Sequence, residues 1–306
     1  MAVMKKLCYP ALVTPIKSSG TNLNSGINYN ALDKLIDYVV TNGVDGVVVA
    51  GCTGHAASLT MDEQVELIEY VNKNWGHKTE VIAGDGSNCT RESIEFAQRV
   101  EKEAKVFRHL QISPYQNKPE QNGIYEHYKS VAGSIEGDII LYSVPGRTGG
   151  KGILPETAAR LAEIKNIVGI KEASGDLERI AKTIELTKNH DFFVISGDDG
   201  MTFKIMALEG VGVISVAANV CPHGVAEMVH CFDEDYNKTA GNRSLQLDNK
   251  MRGLYDVLFL ETNPQPAHYA LRRIGIDAGI PRLPLIDARE ETKREIDVVL
   301  KDLGLI

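Results

Sequence analysis

Eight short runs rich in β-branched residues alternate with longer runs of helical period over about the first 232 residues, and nothing else in the 306-residue chain limits the fold so tightly. The strand-type runs fall at 7–13, 46–50, 80–84, 106–112, 138–142, 167–171, 192–196 and 212–215. Helical patterns lie between them at 29–41, 60–74, 90–103, 121–135, 155–163, 177–187 and 202–208. Several carry start signals: Thr60 and Thr90 as N-caps, with Glu63 and Ser93 three residues on, and Pro155 in a first turn. Eight parallel strands joined by right-handed helical crossovers close as a (β/α)8 TIM barrel, whose functional groups collect on the loops after the strands. Spacing alone also admits an open doubly wound sheet. From Pro222 onward the strand pattern stops, and helical runs at 224–232, 236–259, 266–275 and 289–303 are broken by Pro264, Pro266, Pro281 and Pro284. The chain is therefore read as a barrel over 1–232 followed by a C-terminal helical domain over 233–306.

With 43% hydrophobic and 24% charged residues, the chain has the balance of a soluble globular protein with a large core. A net charge of -8 argues against a general nucleic-acid or anionic-membrane binder. The five cysteines, Cys8, Cys52, Cys89, Cys221 and Cys231, are odd in number and scattered, with no Cys-x-x-Cys pair and no histidine spacing for zinc. A disulfide framework is disfavoured, no metal is expected, and a reducing cytoplasm is. The N-terminal residues carry no apolar leader, and no segment approaches the ~18 apolar residues of a membrane span.

The sixth strand carries the most reactive candidate. Ile167 to Ile170 is a continuous apolar run, as in a strand buried on both faces, and Lys171 follows it directly. An ammonium placed there is poorly solvated, which draws its pKa from ~10.4 toward neutrality, and a neutral amine can attack a ketone to form a Schiff base. A lysine at a strand end more often just points its charge into water, so the weight falls on its companions at the other strand ends. After the second strand, Gly51-Cys52-Thr53-Gly54-His55 offers backbone N–H groups and the Thr53 hydroxyl to a small carboxylate, or is a plain strand-to-helix turn. After the fourth come Ser113-Pro114-Tyr115-Gln116-Asn117, where a tyrosine beside a proline is more often packing than chemistry. After the fifth, Tyr142-Ser143-Val144-Pro145-Gly146-Arg147 sets a phenol near a guanidinium: the one can pass protons, the other can grip a carboxylate. Gly197-Asp198-Asp199-Gly200 follows the seventh strand. Its aspartates suit a loop and N-cap better than a metal, and its glycines either admit a ligand or relieve crowding.

Taken in order, residues 51–54, 81–84, 113–115, 141–149, 169–175, 196–199 and 212–220 resemble the dihydrodipicolinate synthase family, in the wider group that includes N-acetylneuraminate lyase and the 2-keto-3-deoxy sugar acid aldolases. The likeness covers nearly the full length. It implies a barrel in which Lys171 forms a covalent Schiff base with pyruvate, with no other cofactor. It further implies that Tyr142 relays protons, Thr53 holds the pyruvate carboxylate and Ile214 lends its backbone, with Gly197 beside the substrate. The second substrate implied is L-aspartate 4-semialdehyde, its carboxylate bound by Arg147 in the family's Gly-Arg-Thr-Gly arrangement, on the route to lysine and diaminopimelate. The resemblance also implies a homotetramer built from dimers.

Three positions depart from the family pattern. Cys52 stands where a second relay threonine is usual, and a thiol is a weaker hydrogen-bond partner than a hydroxyl. Gln116 stands where a tyrosine reaches into the neighbouring subunit's site, and His55 replaces the glutamate that closes the Gly-x-Thr-Gly turn. Of the family's lysine-effector positions, Asn88, Glu92 and Tyr115 match, whereas Ala56, Met61 and Gln64 replace the usual serine and histidines. The competing enzyme is a pyruvate-dependent aldolase or lyase acting on a 2-keto-3-deoxy sugar acid or 4-hydroxy-2-oxoglutarate. The competing non-enzyme is a barrel that binds pyruvate without turning it over.

Overall fold

The computed structural model describes residues 5–17, 25–232 and 242–306. Eight strands form one sheet in the order β1-β8-β7-β6-β5-β4-β3-β2. They are β1 (Leu7–Pro10), β2 (Gly46–Val49), β3 (Glu80–Gly84), β4 (Arg108–Ile112), β5 (Asp138–Ser143), β6 (Ile167–Glu172), β7 (Phe193–Ser196) and β8 (Gly212–Ser215). Each neighbouring pair from β3 to β8 registers in parallel. A parallel bridge between Ala11 and Val48 sets the end of β1 beside β2, so the order closes on itself as a (β/α)8 barrel rather than an open doubly wound sheet.

The intervening helices are α1 (Tyr29–Thr41), α2 (Met61–Trp75), α3 (Thr90–Arg99), α4 (Gln121–Ala132), the single turn α5 (Pro145–Thr148), α6 (Pro155–Leu161), α7 (Leu177–Thr187) and α8 (Thr202–Ala207). After β8 follow α9 (Pro222–His230), α10 (Arg243–Val257), α11 (Gln265–Arg273) and α12 (Glu290–Asp302), the expected C-terminal helical extension. The helix expected from 236 begins, among the described residues, at Arg243, capped by the Asn242 side chain on the Leu245 N–H; residues 236–241 lie outside the described residues.

The local corrections are physical. Thr90 does not cap α3: Cys89 takes that position, and the Thr90 hydroxyl pairs instead with Nδ1 of buried His127 at 2.9 Å. The helix expected to reach 103 loosens after Arg99 into a π-turn, Val100–Ala104, which ends on left-handed Lys105. Pro155 does open α6, where its missing N–H costs nothing.

Two compact units make up the chain. Among the described residues, the first comprises 61–77 and 81–214. In it, Ile139, Leu141, Ile167, Ile170 and Val194 pack against Ile124, Tyr128, Val131, Leu161, Ile180 and Ile205 of the helices. Tyr128 is fully buried and donates its hydroxyl to the Gln111 carbonyl at 3.0 Å. The same unit holds a buried polar link in which Nδ1 of His109 lies 2.6 Å from Asp85, whose second oxygen accepts from Gln111. Burial alone would lower the His109 pKa, but the Asp85 carboxylate, helped by Glu101, raises it.

The second unit comprises, among the described residues, 5–17, 25–60, 78–80, 215–232 and 242–306. Here the Asn219 amide donates to the Ala11 carbonyl and accepts from the Val13 N–H, pinning the segment that follows β1. Buried Arg282 donates to the carbonyls of Ser25 and Ser58. Among the described residues, no helix is long and apolar enough to cross a membrane, and no two of the five cysteines are joined.

Candidate active site

In the first unit, the in-register row Ile112, Tyr142, Lys171 and Ile195 runs across β4 to β7. Residues two apart on a strand share a face, so the row below it contains Leu110, Ile140, Gly169 and Phe193. Gly169 has no side chain, and the Phe193 ring occupies the space a Cβ would need, approaching to 2.6 Å. An apolar floor therefore lies under Lys171, whose residue surface is only 5% exposed. Its Nζ sits 4.3 Å from the centroid of the Tyr142 ring, its cross-strand partner. On the other side Gly197 makes room: a Cβ there would stand 2.9 Å from Lys171 Cε and 2.9 Å from Ala173 Cβ. Of the two readings the sequence left for Gly197, relief of crowding is what the geometry displays, and the crowded group is the lysine chain.

The backbone that carries Lys171 is fixed from both neighbouring strands. Ala173 N–H donates to the Ser143 carbonyl, and Gly197 N–H to the Glu172 carbonyl. Glu172, on the opposite face of β6, is completely buried; it accepts from the Ser174 N–H and lies 3.8 Å from Nε of Arg179. Burial raises the Glu172 pKa, and the Arg179 guanidinium offsets part of that rise. Arg179 in turn donates to the Ser143 hydroxyl and to the Ile153 and Lys151 carbonyls. This brace stands in the same sequence run as Lys171, yet strand alternation places it on the reverse face, and the sequence reading passed over it.

The remaining candidates of this unit take distinct positions. Ile214 is buried in β8 at 1% exposure. Arg147 is exposed on α5, a turn opened by Pro145 and closed by left-handed Gly149. Gln116 is exposed with φ of 68°, next to exposed Tyr115. The Asn117 amide donates to the Asn88 carbonyl, which brings the loops after β3 and β4 together, and Glu92 accepts from the Ser87 hydroxyl at 2.8 Å. Asp198 caps the turn after β7 through the Gly200 N–H, and the described residues contain no cluster able to hold a metal.

In the second unit, Gly51–Gly54 is a tight turn after β2. Gly54 N–H donates to the Gly51 carbonyl, the Thr14 hydroxyl to the Gly54 carbonyl, and a Cβ on Gly54 would meet the Leu12 carbonyl oxygen at 2.9 Å. Thr53 is 4% exposed and its Oγ1 accepts from the Asn263 amide at 2.9 Å, which leaves the hydroxyl proton to be offered elsewhere. Cys52 is half-buried. Asn263 went unnoticed in the sequence, where it registers only as the residue before Pro264.

The Dihydrodipicolinate synthetase family profile matches residues 5–303. The chain belongs to this family. It is 44% identical over 299 residues to the 4-hydroxy-tetrahydrodipicolinate synthase of Archaeoglobus fulgidus, spanning 97% of this chain and 98% of that one. A monomeric dihydrodipicolinate synthase variant superposes with a TM-score of 0.92 at 37% identity, over 99% of this chain and 98% of that one. The pyruvate-complexed, chloride-inhibited dihydrodipicolinate synthase of Acinetobacter baumannii gives 0.90 at 37% identity, over 99% of each chain. This member of the family sets a buried lysine against a tyrosine, and has cysteine, glutamine and histidine at 52, 116 and 55.

Proposed function

We propose that the chain is a 4-hydroxy-tetrahydrodipicolinate synthase, condensing pyruvate with L-aspartate 4-semialdehyde through a Schiff base on Lys171, in the route to lysine and diaminopimelate. The observation that carries this reading is the buried Lys171 amine stacked 4.3 Å from the Tyr142 ring, in a chain of that family over nearly its whole length. Burial disfavours the ammonium and favours the neutral amine that the first step needs. That amine attacks C2 of pyruvate, and two proton transfers release the carbonyl oxygen as water and leave an imine. Loss of a proton from C3 gives the enamine. Its C3 bonds to the aldehyde carbon of the semialdehyde, whose oxygen takes up a proton to become a hydroxyl. The semialdehyde's own amino group then attacks C2 and displaces Lys171, closing the ring.

In this reading Tyr142 carries the protons to and from the carbinolamine, with Cys52 as its weaker relay partner. The Thr53 hydroxyl and the Ile214 backbone hold the pyruvate carboxylate. Arg147 holds the carboxylate of the second substrate, and its exposure on α5 suits a group that meets the later-arriving molecule. Gln116, whose amide cannot shuttle protons near neutral pH, is a contact rather than a relay. Asn88, Glu92 and Tyr115 form the remnant of an effector site. The chain acts in the cytoplasm as a homotetramer of paired dimers.

Coupled turnover tests the reading. Purified chain with pyruvate and aspartate semialdehyde is expected to form product far faster than it cleaves 2-keto-3-deoxygluconate or 4-hydroxy-2-oxoglutarate. Faster cleavage of either acid would replace this reading with the aldolase. Pyruvate binding with no turnover of any of the three would replace it with a binding protein.

A further inference from the structure

Nothing in the proposed reaction uses the histidine at position 55. The structure gives that histidine a specific partner. Nε2 of His55 lies 2.6 Å from Nε2 of His268 on α11, the two rings meeting edge to face, and both are buried. Nδ1 of His268 faces the Gly279 carbonyl at 3.2 Å, and a carbonyl only accepts, so Nδ1 carries the proton and Nε2 of His268 is the lone pair. His55 must then donate from Nε2, which turns its own Nδ1 lone pair toward the Ser58 hydroxyl at 3.4 Å. One arrangement of neutral tautomers satisfies the pair.

The backbone explains why the tie matters. His55 has φ of 67° and Ala50 has φ of 56°, so left-handed, non-glycine residues flank both ends of the Gly51–Gly54 turn. Such conformations persist only where surrounding contacts hold them. At the Thr53 end, the imidazole pair adds a side-chain tie to those made by Asn263 on the Thr53 hydroxyl, the Thr14 hydroxyl on the Gly54 carbonyl and the Ser58 N–H and hydroxyl on the His55 carbonyl. We infer that His55 is a positioning residue that, through its neutral hydrogen bond to His268, fixes the turn presenting Thr53 to the carboxylate of a small keto acid. The inference rests on the proposed synthase reading, and it makes keto-acid binding sensitive to acid.

The charges around the pair set the direction of that sensitivity. Arg282 faces His55 and Arg272 faces His268, the latter also bonded to the Gly279 carbonyl and to Asp287. Among the described residues no carboxylate hydrogen-bonds either ring. Burial first and Arg282 second bring the His55 pKa down to about 4, and burial with the neighbouring His55 holds His268 well below its ordinary value. A proton added to the pair is therefore a buried cation between two guanidiniums, and a second sets two N–H donors face to face.

The test compares wild type, His55→Ala and His55→Gln, with kcat and the pyruvate KM measured from pH 8 to pH 3.5, alongside Tm and borohydride trapping of pyruvate. His55→Ala is expected to raise the pyruvate KM about tenfold at pH 8 with kcat within about threefold, because a buried acceptor on His268 loses its donor. His55→Gln, whose amide donates without titrating, should restore the KM and remove the extra rise in KM that wild type shows as pH falls through about 4. An unchanged KM in His55→Ala, equal losses in kcat and KM, or the same acid limb in His55→Gln would overturn the inference. Should His55→Ala not fold, the His55→Gln acid limb alone decides. Failure of wild type to trap pyruvate on Lys171 would overturn the synthase reading and this inference with it, and that result is read independently of the KM comparison.

Discussion

At the scale of single residues, the space around one amine matters most. Gly197 stands where any side chain would press on Cε of Lys171, which can yield, and on Cβ of Ala173, which cannot without moving the backbone. Gly197→Ala is therefore expected to fold with about 1–3 kcal/mol less stability, through overpacking against Ala173, while kcat falls at least about tenfold because the amine is displaced by the order of an ångström. Steady-state kinetics with a thermal melt separates the two effects. Arg147 is argued from the opposite property, its exposure on α5. Removing its charged hydrogen bonds in Arg147→Ala should weaken aspartate semialdehyde binding by about 1.5–3 kcal/mol, roughly a ten- to hundredfold rise in that KM. Pyruvate trapping should stay near wild type. An equal loss of trapping would move Arg147 out of the role of second-substrate clamp.

At the scale of elements, the floor of the site follows from one glycine. A Cβ at Gly169 would meet the Phe193 ring at 2.6 Å, in a row held on both sides by β5 and β7. Gly169→Ala should cost about 1–3 kcal/mol of stability by overpacking, measured by urea unfolding, and should lower activity by tilting Lys171 two residues on. The strands that frame this floor could be read from the chain because an apolar, β-branched run bounded by glycine or proline has few other solutions: β3 and β8 have the expected bounds. Helix ends were harder to read. Thr90 carries a capping side chain, yet a histidine 37 residues away competes for its hydroxyl, and no local pattern encodes that competition. The site divides the same way. Lys171, Tyr142 and Gly197 are legible because each stands within a residue of a strand's C-terminal end, whereas Asn263, His268 and Arg179 act through contacts that depend on tertiary placement.

At the scale of the whole molecule, buried imidazoles dictate the response to acid. Burial brings the His127 pKa from 6.5 to about 4, and burial with Arg282 does the same for His55. Their folded-state values are depressed, so the stability they contribute is complete above pH 6.5 and is lost as pH falls toward 4. Each contributes up to about 3 kcal/mol over that range. His109 has the opposite sign: its raised value gives stability present below about 6.5 and lost as pH climbs through the folded value. Urea unfolding at pH 6.5 and 4.5 should show a marked acid loss, and His127→Gln should lose less over the same range. Equal losses would remove His127 from the account. Assembly is read separately, by sedimentation, where a tetramer is expected and a monomer would leave exposed Gln116 without a neighbour to face. The central claim is that the Lys171 amine forms an imine with a keto acid, and one measurement meets it directly. Borohydride reduction of the intact chain in the presence of pyruvate, followed by peptide mass mapping, should add the reduced three-carbon acid to Lys171 and to no other lysine; a label elsewhere, or none, contradicts the account.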